Sequence, residues 1–289
     1  MNNRVKGSTK LYAVIGDPIE HSLSPEIHNT VFDYRKENSI YIPLRIKEEE
    51  LEKSIYMLKN NFLGFNVTKP HKQKIMKYID QLDDRARIYN AVNTVKVVDG
   101  KLIGYNTDGY GFSKSIENIH LKKKRGLLLG AGGAASVVAY EMLQKGVHIT
   151  IANRNIEKAK MLKEQLLSYD SSFNIEVSKI EDLKSEYYFI VNATPIGMDA
   201  KSDELPVSLD IIKNASVAYD LIYNPNRTKF LKSAEGYGCK IINGFSMLFY
   251  QAIKAQEIWN EKIIEKDIES SIYKEIEAYL YNEKEGINL

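Results

Sequence analysis

Short apolar runs alternate with stretches of helical spacing along the whole chain. In the first part, residues 11–15, 41–46 and 64–67 are apolar runs of strand length. Between them, 24–37 and 48–59 carry helix-like spacing. Ser24 is expected to cap the first of these helices, with Pro25 at its first helical position. Asp99-Gly100, set between 95–98 and 102–105, predicts a tight hairpin. Strands separated by helical stretches imply crossover connections and a largely parallel sheet.

The second part repeats the pattern with more deeply apolar strands. They are expected at 127–129, 148–151, 174–177, 188–191, 217–220 and 240–242. Six such runs with helical stretches between them fit a doubly wound nucleotide-binding domain. After Gly244 the chain is expected to stay helical to its end, with Met247, Tyr250, Ile253 and Ile258 packing on a domain. No repeat or low-complexity linker interrupts the chain. The pattern predicts an α/β fold of two closely joined domains.

Composition narrows the function classes. At 289 residues and 44% hydrophobic content, the chain can support two cores. A net charge of +2 and a pI near 8.3 lie below the strongly basic range of nucleic-acid domains. The one tight basic run, Lys122-Lys123-Lys124-Arg125, reads as a solvated connector. The single cysteine, Cys239, excludes an internal disulfide framework and fits a reducing compartment. Residues 126–140 carry no charge, yet they fall short of the roughly 20 residues a membrane span needs. The polar N-terminus lacks the apolar core of a signal peptide. A cytoplasmic protein without nucleic-acid or membrane partners is expected.

Two segments carry chemistry. Gly130-x-Gly132-x-x-Ala135 follows a strand and opens a helix expected over 134–144. Glycines there permit a tight turn and close approach of a pyrophosphate, and the helix N-terminal N–H groups face it. The next strand ends in Asn153-Arg154-Asn155, with Lys158 one turn on. No carboxylate stands there to take a ribose hydroxyl, and the Arg154 fork suits a 2′-phosphate. NADP is therefore favoured over NAD. The other segment is Asn66-Val67-Thr68-Lys69-Pro70-His71-Lys72, followed by Asn93-Thr94 and Asn106-Thr107-Asp108-Gly109. A lysine and a carboxylate among small amides and hydroxyls suit proton transfer on a hydroxylated small molecule.

In order along the chain stand Ser22-Leu23-Ser24-Pro25, Asn66-Val67-Thr68 with Lys72, Ala91-Val92-Asn93-Thr94 and Asn106-Thr107-Asp108-Gly109. Then come Gly130-Ala131-Gly132-Gly133-Ala134, Asn153-Arg154, and Gly244 with Met247-Leu248 and Gln251. This ordered set resembles the shikimate dehydrogenase family, over about 11–259. The resemblance implies reversible NADP-dependent reduction of 3-dehydroshikimate to shikimate, a step towards aromatic amino acids. It implies an N-terminal α/β substrate domain, 1–108 plus 245–289, to which the C-terminal helices return. Residues 109–244 would form a Rossmann-like NADP domain.

Lys72 and Asp108 match the family's catalytic pair. Ser22, Ser24 and Tyr223 match its carboxylate-binding group, and Thr68, Asn93, Asp108 and Gln251 its ring-hydroxyl ligands. The cofactor positions are Gly130, Ala131, Gly132, Gly133, Ala134, Asn153, Arg154, Asn155 and Lys158, with Asp84, Leu221 and Gly244 as more distant carry-overs. Asn155 departs from the threonine or serine common after Asn-Arg, and Lys69 adds a charge where an apolar residue is common. His71 reads as an exposed loop histidine. His21 and His28 lack metal-ligand spacing, so no metal is expected. A broader quinate/shikimate dehydrogenase, a non-catalytic NADP- or metabolite-binding relative, and an NADP enzyme on a folate-like substrate stand as alternatives. The oligomer would be a monomer or homodimer.

Overall fold

A computed structural model describes residues 5–184, 186–199 and 203–282. The chain forms two compact units, Met1–Thr107 with Phe249–Leu289, and Asp108–Leu248.

The first unit begins with β1 (Lys10–Gly16), α1 (Ser24–Tyr34), β2 (Ser39–Arg45), α2 (Leu51–Asn61) and β3 (Gly64–Val67). It continues with β4 (Gln81–Leu82), α3 (Asp84–Tyr89), β5 (Thr94–Val98) and β6 (Lys101–Tyr105). The sheet order is β2-β1-β3-β5-β6-β4. The pairs β1–β2 and β1–β3 are parallel, whereas β5 runs antiparallel to both its neighbours. The antiparallel β5–β6 pair follows from the hairpin, where Asp99 and Gly100 take φ of 48° and 70°. Two successive positive φ values are what a type I′ turn requires. Both faces of β1 are buried. Ala13 and Ile15 pack with Phe65, Val67 and Leu58, while Tyr12 and Val14 pack with Phe32, Tyr41 and Trp259.

Two helix boundaries differ from expectation. Leu23, not Ser24, occupies the cap position of α1, and no side chain caps it. Ser24 is already helical, with its N–H directed at the Ser22 hydroxyl at 3.3 Å. The helix also stops at Tyr34 rather than near residue 37. Lys36 turns left-handed at φ 53°, and the N–H groups of Lys36 and Glu37 return to the carbonyls of Asp33 and Phe32. This is a Schellman closure made without glycine.

The second unit runs α4 (Asp108–Ser115), β7 (Arg125–Leu129), α5 (Gly133–Gln144), β8 (His148–Ala152), α6 (Ile156–Tyr169) and β9 (Ile175–Ser178). It continues through β10 (Phe189–Asn192), α7 (Leu209–Ile212), β11 (Val217–Asp220), α8 (Lys229–Gly236) and β12 (Lys240–Ile242). Its sheet is wholly parallel, in the order β12-β11-β10-β7-β8-β9. This is the strand order of a doubly wound dinucleotide fold, with the direction of winding reversing between β7 and β10. Successive residues of β7 feed opposite cores, Leu128 one and Leu127 and Leu129 the other. Asp108 belongs here rather than to the first unit, since it heads α4, whose Phe112 lies in the core beneath α5.

The helical tail is interrupted. The long helix α9 (Phe245–Asn260) ends where Glu261 adopts φ 54°, and α10 (Lys266–Asn282) follows. From Phe249 onward the tail belongs to the first unit. The Trp259 indole donates to the Val95 carbonyl at 2.9 Å and lies where any side chain on Gly64 would project. Among the described residues no helix is long and apolar enough to cross a membrane.

Candidate active site

In the first unit two of the polar residues singled out in the sequence, Asn93 and Gln251, meet with Thr107 in one buried network. Asn93, which directly precedes β5, is its hub. Its Nδ2 donates to Thr107 Oγ1 at 3.0 Å and approaches Gln251 Oε1 at 3.4 Å. Its Oδ1 accepts from the Thr107 N–H at 2.8 Å and the Thr94 hydroxyl at 2.9 Å. Those bonds fix which way the amide points. Thr107 Oγ1 also lies 3.4 Å from Gln251 Oε1, so strand end, loop and α9 share one cluster.

The network extends through two residues that sequence reasoning did not assign. Asn66 on β3 donates to the Asn93 carbonyl at 3.1 Å and to Thr94 Oγ1 at 2.9 Å. Its Oδ1 accepts from the fully buried Tyr41 hydroxyl at 2.7 Å. Burial holds the Tyr41 phenol well above the usual tyrosine range. Tyr41 and Asn93 are thereby connected through the buried Asn66. The only signal in the sequence is a polar Asn66 and a hydroxyl-bearing Tyr41 within strands otherwise apolar.

Next to Tyr41 lies His28, stacked on its ring at 4.2 Å. Burial pushes the His28 imidazole down to about 3, so it is neutral. Its Nδ1 faces Gln256 Nε2 at 3.0 Å.

Thr68 and Lys72 follow β3 on a turn held to the sheet at both ends. The Thr68 N–H donates to the Ile15 carbonyl at 2.9 Å, and the Val92 N–H donates to the Lys72 carbonyl at 2.8 Å. The second bond ties the backbone of Lys72 to the segment carrying Asn93. Lys72 is half-buried whereas Lys69 is exposed, which separates the two lysines physically. His71 is not an exposed loop residue: it is fully buried, with Nε2 at 2.7 Å from the Ile46 carbonyl. The ring pins this turn to the end of β2, an anchoring partner 25 positions earlier. Asp84 stands in the first turn of α3, 90% exposed and ion-paired to Arg87 at 2.8 Å.

In the second unit the glycine turn has the geometry a dinucleotide needs. Gly130 takes φ 110°, where a side chain would be strained and would press on the Ala193 carbonyl. At Gly132 and Gly133 an added Cβ would meet nothing within 4 Å, so bare backbone faces open space. The helix α5 starts at Gly133 with no side-chain cap and no acid in its first turn. Its leading N–H groups and positive dipole end suit an anion. Ala131 and Ala134 keep that turn small.

Beyond β8, Asn153 Nδ2 donates to the Asn155 carbonyl at 2.8 Å, and Asn155 Oδ1 caps α6 by accepting from Glu157 N–H at 3.1 Å. The turn is braced, and Asn155 spends its side chain on bracing it. Arg154 and Lys158 are exposed. Among the described residues neither side chain is engaged in an ion pair. The donor set fits an NADP 2′-phosphate.

Leu221 and Gly244 meet at the carboxyl ends of β11 and β12, and Tyr223 follows two residues after Leu221. Any side chain on Gly244 would run into the Leu221 carbonyl, and the Gly244 N–H donates to the Ile222 carbonyl at 3.1 Å. Tyr223 is half-buried, and desolvation raises its phenol. Among the described residues no cluster of histidine, cysteine and acidic groups could hold a metal.

The model for the shikimate dehydrogenase substrate binding domain matches residues 14–95, and that for shikimate / quinate 5-dehydrogenase matches 112–196. The NADP(+) shikimate dehydrogenase of Carboxydothermus hydrogenoformans is 42% identical over 266 residues, 89% of this chain and 93% of that one. The chain belongs to the shikimate dehydrogenase family. Solved structures of the family agree with the fold. A shikimate dehydrogenase in complex with NADP+ superposes with a TM-score of 0.86 at 37% identity, covering 94% of this chain and 97% of that one. The shikimate 5-dehydrogenase of Listeria monocytogenes, in complex with shikimate and NAD, gives 0.85 at 32%, covering 94% and 99%.

Proposed function

We propose that this protein catalyses the reversible, NADP-dependent reduction of 3-dehydroshikimate to shikimate. The observation that carries the reading is the buried Asn66–Asn93–Thr107–Gln251 network, with the Lys72 backbone tied to the same segment. Oriented amides and hydroxyls match a ring with several hydroxyls, each both donor and acceptor. Bound NADPH supplies a hydride to the carbonyl carbon. As the C=O π bond opens, the oxygen takes a proton from the Lys72 ammonium, and the Asp108 carboxylate orients that lysine. Thr68, Asn93 and Gln251 hold the ring hydroxyls, while Ser22, Ser24 and Tyr223 take the carboxylate.

The first unit then serves as substrate domain and the second as NADP domain. Gly130–Ala134, Arg154 and Lys158 hold the dinucleotide, with Asp84, Leu221 and Gly244 around its nicotinamide end. We place the protein in the cytoplasm as a monomer or homodimer. The test is shikimate oxidation by the purified protein, followed by NADPH formation, with NAD and quinate as parallel controls. Turnover with NADP and shikimate that disappears in Lys72→Ala is the expected result. NADP binding without turnover would overturn it in favour of a non-catalytic relative.

A further inference from the structure

Asp220, at the carboxyl end of β11, is a fully buried carboxylate with no role in the chemistry above. Three neutral donors contact it. Oδ1 accepts from the Ile222 N–H and from Asn192 Nδ2, both at 3.1 Å. Oδ2 accepts from the Thr228 hydroxyl at 2.7 Å, and that hydroxyl accepts from the Leu231 N–H at 3.2 Å to cap α8. Asn192 completes the arrangement: its Nδ2 also donates to the Ile196 carbonyl at 3.1 Å. Its Oδ1 accepts from Thr194 Oγ1 at 2.7 Å and Thr194 N–H at 3.1 Å.

One carboxylate therefore closes the 221–228 loop at both ends, immediately before Tyr223 and at Thr228. Through Asn192 it also joins that loop to the 193–198 loop. Both loops stand at the carboxyl ends of strands beside the reversal between β7 and β10, where ligands bind in this fold class. Burying an acid among neutral donors is costly, and burial pushes Asp220 up to about 6. A neutral amide is not an equal substitute. Its Nδ2 would face the Thr228 hydroxyl where an acceptor is required.

We infer that Asp220 is a positioning residue, which fixes the loop bearing Tyr223 and so sets substrate affinity without touching the substrate. This rests on Tyr223 binding the substrate carboxylate, as proposed above. The experiment is a double-mutant cycle on shikimate oxidation by the full chain, comparing wild type, Asp220→Asn, Tyr223→Phe and the pair. Asp220→Asn should raise the shikimate KM roughly tenfold, about what 1.4 kcal/mol produces, with the NADP KM within about twofold. In the Tyr223→Phe background it should add almost nothing.

If Asp220→Asn does not fold, Thr228→Val replaces it with the same expectation, and Thr228→Ser should restore the wild-type KM. Effects of Asp220→Asn and Tyr223→Phe that multiply overturn the positioning role alone. A lowered melting temperature with both KM values unchanged does the same. A shikimate KM unaltered by Tyr223→Phe removes the substrate role of that tyrosine, and this proposal with it.

Discussion

In the first unit Asn93 has its side-chain partners in place within the protein itself, whereas in the second unit Arg154 and Lys158, exposed after β8, form no ion pair among the described residues. On the proposed function, the contrast tracks what each half binds. Ring hydroxyls are recognised by donors and acceptors whose polarity is fixed beforehand, which is what the Thr94, Thr107 and Asn66 bonds do for the Asn93 region. A phosphate is recognised by charge and backbone N–H groups, so bare glycine backbone and exposed cations suffice. On that reading, preorganisation belongs to the substrate half and openness to the cofactor half.

The largest expected effect breaks the substrate half at its reactive group. Lys72→Ala should cost roughly 10²–10⁴ in turnover while leaving NADP binding unchanged. Single-turnover kinetics with a separate NADP titration would measure both. Near-normal turnover would send proton transfer elsewhere.

Next comes pH, where the two units should respond with opposite sign. His28 is held down to about 3, below the ordinary 6.5, by burial. The unfolded chain binds that proton first, so His28's contribution is complete above pH 6.5 and is lost as pH falls towards 3, to an extent of roughly 5 kcal/mol. Asp220 is held up to about 6 from 3.8, again by burial. Its contribution is complete below pH 3.8 and is lost as pH rises through about 6, by roughly 3 kcal/mol. Urea unfolding between pH 4 and 7 should show acid sensitivity reduced in His28→Phe and increased in Asp220→Asn. Parallel slopes for all three proteins would contradict the assignment.

The cofactor half is tested by Arg154→Ala. Removing one charge-assisted bond should weaken NADP(H) by about 1.5–3 kcal/mol and leave NAD(H) nearly unchanged. Equal losses for both cofactors, measured by fluorescence titration, would show that Arg154 does not read the 2′-phosphate.

The same contrast explains what could be read from the sequence. The cofactor turn is local: strand, glycines, helix and Arg154 all fall within a few tens of residues, and each constraint acts on its neighbours. The hairpin at Asp99-Gly100 is legible for the same reason, since positive φ is demanded at two adjacent positions. The substrate half is not local. Tyr41 matters because Asn66 accepts from it 25 positions later, and Gln251 reaches Asn93 across 158. His71 was legible only as a polar loop residue, because the Ile46 carbonyl that buries its meaning is set by the packing of another strand. Helix ends at Lys36 and Glu261 escaped for a different reason. Both adopt left-handed backbone without the glycine or asparagine that would announce it.

The smallest effect probes the buried link itself. Tyr41→Phe keeps the ring stacked on His28 and packed near Trp259 but removes the hydroxyl that donates to Asn66. Asn66 Oδ1 would be left buried without its donor, at about 1–2 kcal/mol of stability. If preorganisation is what the first unit supplies, the shikimate KM should rise roughly three- to fivefold, a shift worth under about 1 kcal/mol. The turnover number and the NADP KM should stay constant. A loss confined to melting temperature would reduce Tyr41 to a packing residue and dissolve the contrast, since the substrate half would then bind as loosely pre-set as the cofactor half. A raised KM, restored by no change at His28, would place the effect in the hydroxyl rather than in the aromatic stack.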